Sequence, residues 1–148
     1  MSKHKILTFK EFLNKFGNDS TSNFDLLRWS KVLKIPNFHV CMKDEIKKLK
    51  RLKKLPLYIV CNYQLSNQSG NHWICMIRDK EKSFYFDSYG IDPLPEAVDL
   101  LKCFDYSKFK IQNNDQRFCG QLSLFIIYSL HNGKDFYSTV LDLYSHKK

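Results

Sequence analysis

The chain has 148 residues, 43% hydrophobic and 15% aromatic, enough for a real core in one domain spanning 1–148, and too apolar for a disordered chain. Few Gly and Pro, 5 and 4, leave little linker, and no apolar run approaches the roughly 20 residues of a membrane span. The net charge of +9 raises polyanions as partners, and the opening "MSKHKILTFK" lacks an apolar signal region, so an intracellular, non-secreted protein is expected.

In chain order, Thr8 to Gly17 predicts a short helix, with Thr8 and Glu11 forming a capping box and Gly17 ending it. Ser20 to Ile35 predicts a second helix, with Leu26, Leu27, Trp29 and Leu33 as apolar contacts and Pro36 as the stop. Lys43 to Lys54 holds seven basic and two acidic residues and reads as a solvated helix face plus a basic loop. The period then changes. Pro56 to Gln64 and His72 to Arg78 predict strands around a loop at Asn67 to Asn71. Four charged residues, Asp79 to Lys82, join the second of these to a strand over Ser83 to Gly90, as in a hairpin. Pro93 to Phe104 predicts a helix and Lys108 to Gln112 a further strand. Cys119 to Gly133 is apolar nearly all round, which predicts a buried central helix, and Lys134 to Tyr144 predicts a last one. Strands in the middle with helices at both ends give the α+β class.

The five cysteines are odd in number and lack a C-x-x-C pair, so reduced thiols are expected rather than a disulfide framework. No metal is expected, because His39 with Cys41 and His72 with Cys75 lack the paired spacings of a structural zinc site. The basic run, Lys43, Lys47, Lys48, Lys50, Arg51, Lys53 and Lys54, offers phosphate attraction. It has no interleaved aromatics with which to read bases.

Chemistry converges on four polar residues of the apolar region. In a hairpin, His72 and Asp87 sit near the same end of the sheet, far from the turn, within diagonal reach of each other. A carboxylate there can hold the imidazole in one tautomer and orientation. Cys119, at a helix N-terminus, faces the positive end of the macrodipole, which suits an anionic nucleophile. Gln112 is the candidate oxyanion donor, together with the Cys119 backbone N–H. Gln116 and Gln121, although nearer, are weaker candidates. Asn71, Trp73 and Gly120 flank these positions as candidate substrate contacts, Gly120 by letting another backbone approach closely. Singly each residue has a plain alternative: a core thiol, a strand-end aspartate, a surface glutamine, a core tryptophan.

As a set, "GNHW", "YFDSYG" and "IQNNDQRFCGQ" resemble the adenovirus-type (adenain-like) cysteine endopeptidases and their relatives that process ubiquitin-like proteins such as SUMO. These run in the order His, acidic residue, Gln, Cys, matched by His72, Asp87, Gln112 and Cys119. The resemblance covers about Leu26 to Leu130. It implies a papain-like cysteine-protease core in circularly permuted order, its Cys-bearing helix packed on a mostly antiparallel sheet, with Trp73 shielding the catalytic pair. It implies hydrolysis at Gly-containing sites of a protein or polyprotein substrate by a monomer, with no required cofactor but stimulation by DNA or an activating peptide, and a place in the virion as well as the cell. The peptide attaches in that branch through an upstream cysteine. Cys103, 16 residues before Cys119, is a loose counterpart and is not expected to serve. With 29 residues after Cys119, the chain resembles a minimal version, such as those of viral or virus-like DNA transposons. Two other readings use the same features: an acetyltransferase built on the same Cys-His-Asp chemistry, and a basic nucleic-acid- or protein-binding module.

Overall fold

The computed structural model describes residues 5–64, 72–113 and 115–146. In chain order it holds α1 (Phe9–Phe16), α2 (Asn23–Val32), β1 (Phe38–Met42), a 3-10 helix (Lys43–Arg51), β2 (Leu57–Asn62), β3 (Trp73–Arg78), β4 (Ser83–Phe86), α3 (Pro95–Leu101), β5 (Phe104–Tyr106), α4 (Cys119–His131) and α5 (Phe136–Ser145).

Both capping boxes at the N-terminal end follow from local chemistry. Thr8 and Glu11 close α1, and Ser22 with Asp25 closes α2, each side chain satisfying a backbone N–H that the first turn leaves free. The α2 cap is Ser22, two residues later than Ser20, the first residue of the predicted helix, because Asp25 supplies its reciprocal partner.

The five strands form one sheet in the order β1-β2-β3-β4-β5. The two central pairings are antiparallel, but β1 pairs parallel with β2 and β5 parallel with β4. The sheet is therefore mixed rather than mostly antiparallel. The predicted strand over Lys108 to Gln112 is not formed. Phe104–Tyr106 takes the edge of β4 instead, and the N–H groups of Ile111 and Gln112 both donate to the Ser88 carbonyl, at 2.8 and 3.0 Å. The predicted Ser83 to Gly90 strand stops at Phe86, because a turn closes with Gly90 N–H on the Asp87 carbonyl at 2.8 Å. Gly90 sits at φ +70°, and a Cβ there would lie 2.5 Å from the Lys108 carbonyl oxygen, so both the turn and the close approach require glycine.

Strand alternation builds two cores. Tyr58, Val60, Trp73, Cys75, Ile77 and Phe86 face α1, α2, α4 and α5. Leu57, Ile59, Cys61, Ile74, Met76 and Tyr85 face the 3-10 helix and α3. Burial on both faces explains why β2 and β3 read as continuous apolar runs. Helix α4 is buried from Cys119 to Ser129, so one core wraps around it. No helix among the described residues is long and apolar enough to cross a membrane.

Candidate active site

The N-terminus of α4 meets the sheet where β3 begins and β4 ends. In the β3–β4 register, Cys75 lies opposite Phe86; continuing it puts His72 opposite Tyr89, with Asp87 two residues off the direct partner. That diagonal relation brings His72 Nε2–H to 2.8 Å from Asp87 Oδ1. The Asp87 side chain is wholly buried and that of His72 is 12% exposed. Asp87 Oδ1 also accepts the Tyr89 N–H at 2.9 Å.

With Nε2 committed to Asp87, His72 keeps Nδ1, which is buried and has no hydrogen-bond partner. Cys119 is the group beside it. Burial alone pushes the His72 imidazole down, but the hydrogen bond to Asp87 and the nearby Cys119 thiol, together with the charges on both, outweigh it and raise the pKa to about 9. In the resting arrangement the Cys119 sulfur accepts the Trp73 backbone N–H at 3.4 Å, and no thiol–imidazole bond of good geometry forms. His72 Nδ1 is thus the nitrogen open to proton exchange with the thiol.

Cys119 is the first residue of α4, and its N-cap, Phe118, provides no side-chain hydrogen bond. The first N–H groups of the helix are left for another acceptor, at the positive end of a 13-residue dipole. Phe118 packs edge-on against Phe9 instead, with ring centroids 5.6 Å apart. The glycine at 120 has a packing reason: a Cβ would fall 2.1 Å from Thr21 Cγ2 and 3.2 Å from Trp73 Cδ1. The close approach at Gly120 is therefore by side chains, not by another backbone. Trp73 is itself buried, its indole N–H donating to the Thr21 carbonyl at 3.1 Å, so the residue just before α2's N-cap locks the start of β3 onto α4. Both residues sit inside the scaffold rather than on an open cleft. Asn71 and the Asn67 to Asn71 loop lie outside the described residues.

Gln112 is buried and fully engaged. Its Oε1 accepts the Ser88 hydroxyl at 2.9 Å; its Nε2 donates to the Tyr89 hydroxyl at 3.3 Å and to the Gln116 carbonyl. Gln116 closes its own short turn by accepting the Asn113 N–H. Gln121 donates to the carbonyls of Gly17 and Asp19, at 3.0 and 2.9 Å, tying the α1–α2 connection to α4.

Sequence reasoning missed Thr21, Ser88 and Tyr89. The "DSY" run held the signal for the last two: a hydroxyl and a ring immediately after the carboxylate, beyond the end of a strand. Cys103, between α3 and β5, is exposed, whereas the other four thiols are buried. No cluster of three or more metal-ligating side chains occurs among the described residues.

This architecture, an α+β core with the Cys-bearing helix buried against a five-stranded sheet, is the papain-like cysteine-protease fold. The chain is similar to two crystal structures of the ASFV pS273R protease, one of them of the selenomethionine protein. Each has a TM-score of 0.60 at 16% identity and covers 87% of this chain. The chain spans 66% of that protein's length. No family model matches the chain, and no curated protein sequence matches it.

Proposed function

We propose that the protein is a cysteine endopeptidase whose nucleophile is Cys119. The observation that carries this reading is the His72–Asp87 bond of 2.8 Å, which leaves a buried, unpartnered Nδ1 beside a thiol at an uncapped helix N-terminus. Asp87 fixes the tautomer and ring plane of His72 and favours its protonated form. His72 takes the thiol proton at Nδ1, and the sulfur attacks the substrate carbonyl carbon. The developing oxyanion is held by the Cys119 N–H and by Gln112 Nε2, one of whose hydrogens turns from its present acceptor to the substrate oxygen. His72 then gives its proton to the leaving amine, and water hydrolyses the acyl-enzyme through the same base.

The finer assignment is to the adenovirus-type branch, acting at Gly-containing sites of a viral or ubiquitin-like protein. It rests on the His72, Asp87, Gln112, Cys119 order and on the flanking sequence. DNA stimulation belongs to the same proposal: the 3-10 helix and the residues after it expose Lys47, Lys48, Arg51, Lys53 and Lys54, while Lys50 pairs with Asp99 at 2.8 Å.

The experiment is hydrolysis of Gly-Gly-type peptides by wild type and by Cys119→Ala, with and without duplex DNA at two salt concentrations. Cleavage by the wild type and none by the variant is expected. No cleavage by either, or acetyl transfer from acetyl-coenzyme A in its place, would remove the protease reading.

A further inference from the structure

We infer that Tyr89 is a positioning residue that ties the acid–base histidine to the oxyanion glutamine, so that one side chain sets the geometry of both. This rests on the protease reading above. Three contacts converge on it. Its ring stacks on His72, with centroids 4.6 Å apart and planes 26° from parallel. Its backbone N–H donates to Asp87 Oδ1, the oxygen that also holds His72. Its hydroxyl accepts from Gln112 Nε2 at 3.3 Å. Ser88 completes the device from the other side, its hydroxyl holding Gln112 Oε1 and its carbonyl holding the backbone of Ile111 and Gln112. Asp87, Ser88 and Tyr89 thus reach every group proposed to act on the substrate except Cys119.

Hydrophobic packing does not account for Tyr89. It is half-buried and belongs to neither core, whereas Tyr85, four residues earlier, is fully buried within one. A flat ring against the imidazole restricts rotation of His72 about its Cβ–Cγ bond and holds Nδ1 toward Cys119. An aromatic face also favours the imidazolium. The hydroxyl fixes the amide plane of Gln112 through one of its two N–H groups. The titratable groups facing His72 are Asp87, Cys119, Tyr89 and Tyr63; the Tyr63 ring lies 6.1 Å away, with the Lys43 ammonium 5.8 Å from its centroid.

The test compares Tyr89→Phe and Tyr89→Leu with wild type in the full chain. It measures kcat and KM on a Gly-Gly peptide, the pH profile of Cys119 alkylation, and the His72 titration by NMR. Tyr89→Phe keeps the stack and loses the hydroxyl, so kcat should fall about 3- to 10-fold, with KM and the alkylation profile unchanged. Tyr89→Leu loses the stack as well, and its His72 midpoint should fall by about half a pH unit, the alkylation profile moving with it. A Phe variant with wild-type kcat removes the hydroxyl's role. A Leu variant with the wild-type midpoint removes the ring's role. Thermal melts check folding, and Tyr89→Met replaces Leu if Leu does not fold. A wild type that hydrolyses nothing sinks the protease reading instead, and the NMR midpoint still decides the coupling of ring to imidazole.

Discussion

Met76, in the middle of β3, and Asp87, just past the end of β4, are 0% and 1% exposed, yet their surroundings have little in common. Around Met76 lie Leu57, Ile59, Ile74, Leu100 and the rest of an apolar core beneath α3. Against Asp87 lie the His72 imidazole and the Tyr89 N–H, with buried Ser88 next in the chain holding buried Gln112, and His72 Nδ1 and Asp87 Oδ2 are left without partners. Unpaired buried polar atoms cost stability. The first region is what a sheet does to gain stability; the second gives stability up. A fold keeps such a cluster where chemistry needs it.

Variants in the two regions should fail in opposite ways. The largest effects belong to the site. Cys119→Ala or His72→Ala should lower peptide hydrolysis by about 10⁴-fold or more. The loss of activity should far exceed any loss of stability. Cys119→Ala trims one buried sulfur at the edge of a core and should move the midpoint of chemical unfolding little, whereas His72→Ala leaves buried Asp87 without its partner and should also lower the midpoint at neutral pH. Asp87→Asn should cost roughly 10²- to 10⁴-fold by releasing the imidazole's tautomer. A site variant that unfolds the protein and spares activity per folded molecule would erase the contrast.

Next come the core variants. Ile59→Ala or Met76→Ala should destabilise by about 2–5 kcal/mol in urea titrations and leave kcat per folded molecule within about twofold of wild type. Gly120→Ala sits between the regions. Its new methyl meets Thr21 Cγ2, whose backbone carbonyl is held by the Trp73 indole. A loss of about 1–3 kcal/mol is expected from overpacking, read by thermal melt. A smaller loss in Gly120→Ala combined with Thr21→Ser, which removes that methyl, would pin the cost to this contact.

The smallest effect is a pH dependence that His72 brings to the site. The folded-state pKa of His72 is raised to about 9, above its ordinary 6.5, so the protonated form is favoured in the fold. Its contribution to stability is fully present below about pH 6.5 and is lost as pH rises through about 9. Urea midpoints at pH 6, 7.5 and 9 should fall in that order, and His72→Gln should flatten this part of the trend.

How much of this was legible in the sequence follows the same division. Helix α4 begins at Cys119, as its apolar run predicts, and the hairpin turn at Asp79 to Lys82 was set by local charge and period. The Thr8–Glu11 box closes as read. Strands β1 and β5 were not legible. Phe38–Met42 and Phe104–Tyr106 are short edges whose extended form depends on parallel partners far along the chain. The diagonal His72–Asp87 pair could be counted from the turn. The clamp of Ser88 and Tyr89 on Gln112 could not, because it joins residues about 24 positions apart through a non-strand segment. The reason for glycine at 120 was hidden likewise, since Thr21 arrives from the other end of the chain.

The central claim is that Cys119 is activated by its neighbours rather than merely buried by them. Brief iodoacetamide treatment at pH 6, with the labelled cysteine located by peptide mass mapping, tests it most directly. Cys119 is only 6% exposed and Cys103 is open to solvent, so access alone favours Cys103. The account predicts that Cys119 labels first and that His72→Ala abolishes this preference. Labelling of Cys103 with Cys119 left intact would contradict it.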